Sequence, residues 1–147
     1  MNTSMGVKAA MKDNIFLDTA FAIALSIETD TFHNKAMNLS RQIEAGKVRL
    51  VTTRAILLEI GNALAKHYLR PAAIKLLKSL EADETIVIIP ISEELYAKAF
   101  VLYCSRSDKE WGLTDCISFV VMQETDLTEA LTADRHFEQA GFKALMR

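Results

Sequence analysis

Asn14-Ile15-Phe16-Leu17-Asp18-Thr19-Ala20-Phe21-Ala22-Ile23-Ala24-Leu25 is the stretch from which the fold follows. A short apolar run that ends at an acid and a hydroxyl, then passes straight into an apolar helical run, is a strand, a turn and a helix. The alternation recurs outward from it. Asp30 or Thr31 can cap a second helix to about Glu44, closed by Gly46. Val48-Arg49-Leu50-Val51-Thr52 is β-branched and alternating, a second strand, and Thr53 caps a helix from Arg54 to about His67. Arg70-Pro71 stops that helix and opens the next, with proline in its first turn, as far as about Ala82. Thr85-Ile86-Val87-Ile88-Ile89-Pro90 is apolar on both faces and is expected in the sheet centre. Ser92-Glu93-Glu94 opens a helix to about Ser105, and a polar loop from Arg106 to Gly112 follows. Glu129-Ala130-Leu131-Thr132 and Phe142 to Met146 are further strands, with Asp134 and a short helix between them. Strands alternating with helices predict a mainly parallel sheet covered by helices on both faces, a three-layer α/β/α sandwich.

The chain has 147 residues, half of them hydrophobic and 24% charged, which fits one globular domain with a real core. The expected organisation is a flexible tail over residues 1–13 and a single domain over 14–147. The formal net charge of -2 announces no global basic field, so any nucleic-acid grip must be local. Cys104 and Cys116 have neither zinc-knuckle spacing nor disulfide-scaffold density, and they read as reduced core residues of a cytoplasmic protein. No apolar run approaches the roughly 20 residues that span a bilayer. Lys8 and Lys12 precede no apolar block, so the N-terminal residues do not read as a signal peptide.

In a parallel α/β sheet, ligands sit at the carboxyl ends of the strands, which makes the acids there worth following. Asp18 ends the first strand and Asp134 stands just past the fourth. Gly112-Leu113-Thr114-Asp115-Cys116-Ile117-Ser118-Phe119-Val120-Val121-Met122 puts Asp115 in the first turn of a nearly all-apolar helix, with Thr114 as the expected N-cap. Taken alone, Asp115 is a favourable first-turn acid, and Asp18 and Asp134 are capping residues. The loop from Arg106 to Gly112 leaves open which end of the sheet that helix starts from. Glu59 shares a polar helix face with Asn62 and Lys66, beside the apolar stripe of Ile56, Leu57, Ile60 and Leu64, and a solvated edge is its plain alternative. If the four carboxylates converge, each like-charge pair about 4 Å apart costs on the order of 4 kcal/mol. Protonation or a cation relieves that, and an oxygen donor set with no His or Cys cluster suits Mg²⁺ or Mn²⁺.

Ile15-Phe16-Leu17-Asp18-Thr19, Leu58-Glu59-Ile60-Gly61-Asn62-Ala63-Leu64, Leu113-Thr114-Asp115-Cys116-Ile117-Ser118 and Leu131-Thr132-Ala133-Asp134-Arg135-His136-Phe137 resemble, in order, the acidic motifs of PIN domains, especially VapC-type toxins. The resemblance spans about Asn14 to the C-terminus. It implies a metal-dependent ribonuclease that leaves 5′-phosphate and 3′-hydroxyl ends, with Asp18, Glu59, Asp115 and Asp134 gathered as catalytic, metal-binding acids. Where many relatives carry Ser, this chain has Ala20, so hydroxyl support rests on Thr19. Thr114 and Asn62 are the other supporting candidates, and Arg54, Lys66, Arg70, Arg106, Lys109 and Arg135 the candidate phosphate contacts. Trp111 is expected to pack over the core edge rather than stack a base. A small antitoxin protein whose tail covers the acids and a homodimer are the implied partners, with Ile23, Phe32, Leu95 and Phe100 as dimer surface or core. A catalytically silent binding module and a DNA-directed nuclease are the alternatives.

Overall fold

The computed structural model describes residues 11–147, so most of the expected N-terminal tail lies outside the described residues. Strands β1 (Asn14–Leu17), β2 (Arg49–Thr53), β3 (Ile86–Ile89), β4 (Glu129–Leu131) and β5 (Lys143–Ala144) form one parallel sheet in the order β3-β2-β1-β4-β5. Helices α1 (Thr19–Ser26), α2 (His33–Gly46), α3 (Arg54–Ala63) and α4 (Arg70–Ala82) pack among themselves. A second group holds α5 (Glu93–Ser105), α6 (Leu113–Glu124) and α7 (Arg135–Gln139), completing the three-layer α/β/α sandwich. No helix among the described residues is long and apolar enough to cross a membrane.

β1 lies at the centre because Ile15, Phe16 and Leu17 are apolar without a break and are buried on both faces. The same reasoning fails for Thr85 to Pro90. That run forms the edge strand β3, paired with β2 alone, and Val87 is 40% exposed. Continuous β-branched residues encode a strand but not its place in the sheet. The sheet grows from β1 toward β2 and then restarts on the other side with β4, so the order reverses between β1 and β4. That is the crevice where a parallel α/β sheet offers room for a ligand.

Several boundaries also move. α3 ends at Ala63, and Lys66 and His67 fall in the turn that follows. The left-handed residue that closes α2 is Lys47, at φ 52°, with Gly46 still in the helix. α2 has no side-chain cap, because Asp30 Oδ1 instead accepts the Phe32 amide. The last strand contracts to Lys143–Ala144. Cys116 is buried as expected, whereas Cys104 is exposed on α5.

α6 is buried along Cys116 to Met122, and the polar loop before it turns the chain back so that Lys98 of α5 meets Glu124 at the far end of α6, 2.5 Å away. Trp111 is core, not a base-stacking platform. Its edge contacts Phe119 with centroids 5.0 Å apart, and its Nε1 donates to Gln139 Oε1 at 2.9 Å. Phe119 in turn meets Phe137 edge-on at 5.0 Å, and Phe137 meets Phe16 at 6.2 Å, which joins α6, α7 and β1 through one aromatic cluster. Such contacts are worth roughly 0.5–1.5 kcal/mol each beyond area burial. Phe119→Ala is therefore expected to cost about 3–5 kcal/mol in urea unfolding, as full truncations of core aromatics do, and a loss under 1 kcal/mol would contradict this packing.

Candidate metal centre

The site is built where β1 and β4 end side by side. Leu17 is in register with Leu131, so the next residues, Asp18 and Thr132, face each other across the crevice. The Thr132 hydroxyl donates to Asp18 Oδ2 at 2.7 Å and accepts the Asp134 amide at 3.0 Å. One buried threonine thus positions two of the four acids. Its position just past the apolar run of β4 was the only signal in the sequence, and it is a weak one. Thr52 of β2 fastens the same edge by donating to the Leu17 carbonyl at 2.8 Å.

Asp18 does not cap α1 through its side chain, so its simpler reading fails. Asp18 is 8% exposed and its pKa is raised from 3.8 to about 7. Desolvation is the largest cause; the Thr132 hydroxyl and the Thr19 amide oppose it, and the charges of Glu59 and Asp115 add to it. Both of those acids therefore act on Asp18 from nearby. Thr19, the first residue of α1, donates its hydroxyl to Glu59 Oε1. Glu59 gets there because Thr53, at the end of β2, caps α3 by accepting the Ile56 amide at 3.2 Å, which fixes where the helix starts.

Asp115 arrives from the other helical layer. The N-cap of α6 is Gly112 rather than Thr114, and Asp115 Oδ2 accepts the Gly112 amide at 3.0 Å. Thr114 lies inside the first turn, half-buried. Half-buried itself, Asp115 has its pKa raised, by desolvation first and then by the charge of Asp134, against the opposing pull of the Gly112 amide and His136. Asp134 does cap α7, accepting the His136 amide at 2.9 Å. The His136 ring, to which the sequence assigned no role, stands in the site: its Nδ1 is 3.1 Å from Asp115 Oδ2 and 3.4 Å from Asp134 Oδ1.

The remaining candidates separate. Asn62 is exposed and makes no bond to Glu59 among the described contacts. Arg54 is held by Glu81. Arg106 is gripped by Asp108 at 2.9 and 3.0 Å and lies over the Trp111 ring. Arg70 donates to the Ala65 carbonyl at 2.7 Å, and Lys109 lies 3.9 Å from Asp108. Lys66 and Arg135 are exposed and enter no ion pair among the described residues. A cleft of about 710 Å³ opens elsewhere, between α2, α4 and the starts of β2 and β3, and none of the four acids lines it.

Asp115, Asp134 and His136 bring one ligand atom each to within 4.8 Å of one another, and Asp18, forced toward its neutral form with Glu59 beside it, stands close enough to feel the charge of Asp115, an arrangement that suits a divalent cation chemically. Oxygen donors dominate it, and added positive charge would relieve the desolvation and repulsion acting on Asp18. A parallel α/β/α sandwich with an acid cluster at its switch point defines the class. The PIN domain model matches residues 15–143, and the chain belongs to the PIN domain family. In Mycobacterium tuberculosis, the 23S rRNA-specific endonuclease VapC20 of two strains, CDC 1551 and H37Rv, is 26% identical over 129 residues, covering 87% of this chain and 95% of that protein. The crystal structure of the Mycobacterium tuberculosis VapC20, a sarcin-ricin loop cleaving toxin, superposes with a TM-score of 0.77 at 24% identity, over 87% of this chain and 95% of that one. That likeness shows the fold.

Because the folded-state pKa of Asp18 lies above its unfolded value, the metal-free protein keeps this group's full contribution below pH 3.8 and loses it as pH rises through about 7. The separation converts to roughly 4 kcal/mol at most. Asp18→Asn removes the loss, so in chelator the wild type is expected to lose more urea resistance than the variant between pH 5 and pH 8. Equal losses would mean that Asp18 ionises freely in the folded protein.

Proposed function

We propose that the protein is a divalent-metal-dependent endoribonuclease, the toxin of a toxin–antitoxin pair, acting from the acids at the β1–β4 crevice. Gathering Asp18 and Glu59 around Thr19, with Asp115 and Asp134 opposite, is the observation that carries the reading. Asp18, Glu59, Asp115 and Asp134 would hold Mg²⁺ or Mn²⁺. When bound, such an ion supplies Lewis acidity that polarises a phosphoryl oxygen and lowers the pKa of the attacking water.

The chain's own residues do the rest. Thr132 and the Gly112 amide keep Asp18 and Asp115 aimed into the crevice before any ligand arrives, so little reorganisation is needed on binding. Thr19 holds Glu59 in the same way. Arg135, exposed and next to Asp134 in the chain, and Lys66 are left to meet the RNA backbone, whereas Arg54 and Arg106 must first leave their acids. With a net charge of -2 the grip is local, and affinity should fall with salt. A DNA-directed nuclease and a silent binding module are separated from this reading by assaying RNA and DNA side by side.

The partner reading follows the relatives: a small antitoxin whose tail covers the acids. A homodimer has support on α5. Tyr96, Phe100 and Tyr103 stack along one exposed stripe, with centroids 6.3 Å apart, and Val101 lies 67% exposed beside them. Leu95 is buried and belongs to the core.

Asp115→Asn is expected to cut RNA cleavage by more than the roughly 10–100-fold lost with outer partners of a metal ligand, and to abolish the thermal stabilisation given by Mn²⁺. Undiminished cleavage by this variant would remove Asp115 from the site. Phe100→Glu is expected to convert a dimer to a monomer in light-scattering mass measurement, and an unchanged mass would take the dimer surface off α5.

A further inference from the structure

We propose that His136 is itself a ligand of this centre through Nδ1, making the site a mixed oxygen and nitrogen one that favours Mn²⁺ over Mg²⁺. The inference rests on the reading of the acids as a divalent-cation site. An octahedral shell with bonds of about 2.1 Å places neighbouring ligand atoms about 3.0 Å apart and opposite ones about 4.2 Å apart. His136 Nδ1 lies 3.1 Å from Asp115 Oδ2 and 3.4 Å from Asp134 Oδ1, close to the neighbouring separation. One ligand atom from each of the three residues fits within a span of 4.8 Å.

The helix that carries the ring is also fixed without a cation. The His136 amide is bound by Asp134 at 2.9 Å, and the next residue, Phe137, is fully buried in the aromatic cluster, so α7 cannot swing the imidazole away cheaply. Nδ1 faces the Asp115 carboxylate at 3.1 Å, the position from which it would share a cation with that acid. As a ligand, Nδ1 would offer its lone pair and the ring proton would reside on Nε2. Mg²⁺ favours oxygen ligands and gains little from an imidazole, whereas first-row transition ions accept one readily.

The test is Mn²⁺ added to the metal-free protein and read by pulsed electron paramagnetic resonance, with and without ¹⁵N-labelled histidine. Direct ligation predicts a nitrogen coupling that changes with the label and vanishes in His136→Gln. It also predicts that His136→Gln weakens Mn²⁺ binding by about 10-fold or more, with a smaller loss for Mg²⁺. Bound Mn²⁺ without nitrogen coupling in the wild type would overturn the ligand role while leaving the acids' role standing. Failure of the wild type to bind Mn²⁺ at all would overturn both. The wild-type spectrum decides the matter even if the variant does not fold.

Discussion

Burial of carboxylates that the fold brings together is the constraint on which the rest depends. Like charges in a poorly solvated crevice repel more strongly than in water, and here the charges of Glu59 and Asp115 raise the Asp18 pKa while that of Asp134 raises the Asp115 pKa. The protein meets that cost with pieces that are otherwise hard to explain: a buried threonine on Asp18, a glycine amide on Asp115, a threonine hydroxyl on Glu59 and an imidazole between Asp115 and Asp134. These partners offset the cost without cancelling it, since desolvation, with the charges of Glu59 and Asp115 adding to it, still drives the Asp18 pKa up to about 7. The cation proposed for this site would relieve that cost.

The sheet explains why the acids meet. Asp18 and Thr132 come together because β1 and β4 are parallel neighbours in a fixed register, and that register is maintained by residues buried on both faces. Phe119 and Phe137 carry the same order into α6 and α7, so the positions of Asp115 and Asp134 depend on aromatic packing within the helices that they open.

Much of this was legible in the residues. The alternation of strands and helices gave the sandwich, and the acids that follow Leu17 and Ala133 lie at strand ends, where a parallel sheet places its ligands. What local pattern could not convey was order and partnership. Thr85 to Pro90 is as apolar as a central strand, yet it sits at the edge, because strand order depends on which helices cross over it. Thr114 looked like a cap, but the glycine before it had the extended backbone a cap requires. Thr132 and His136 were missed because their value lies in contacts with residues 114 and 21 positions away, which no local period reveals. Arg54 and Arg106 looked available for phosphate, and only the fold shows the acids that occupy them.

The most direct measurement is anomalous diffraction from crystals grown free of metal and then soaked in Mn²⁺. A cation site formed by these acids predicts a single region of anomalous density bounded by Asp18, Glu59, Asp115 and Asp134. Density absent at saturating Mn²⁺, or confined to some other part of the surface, would contradict it.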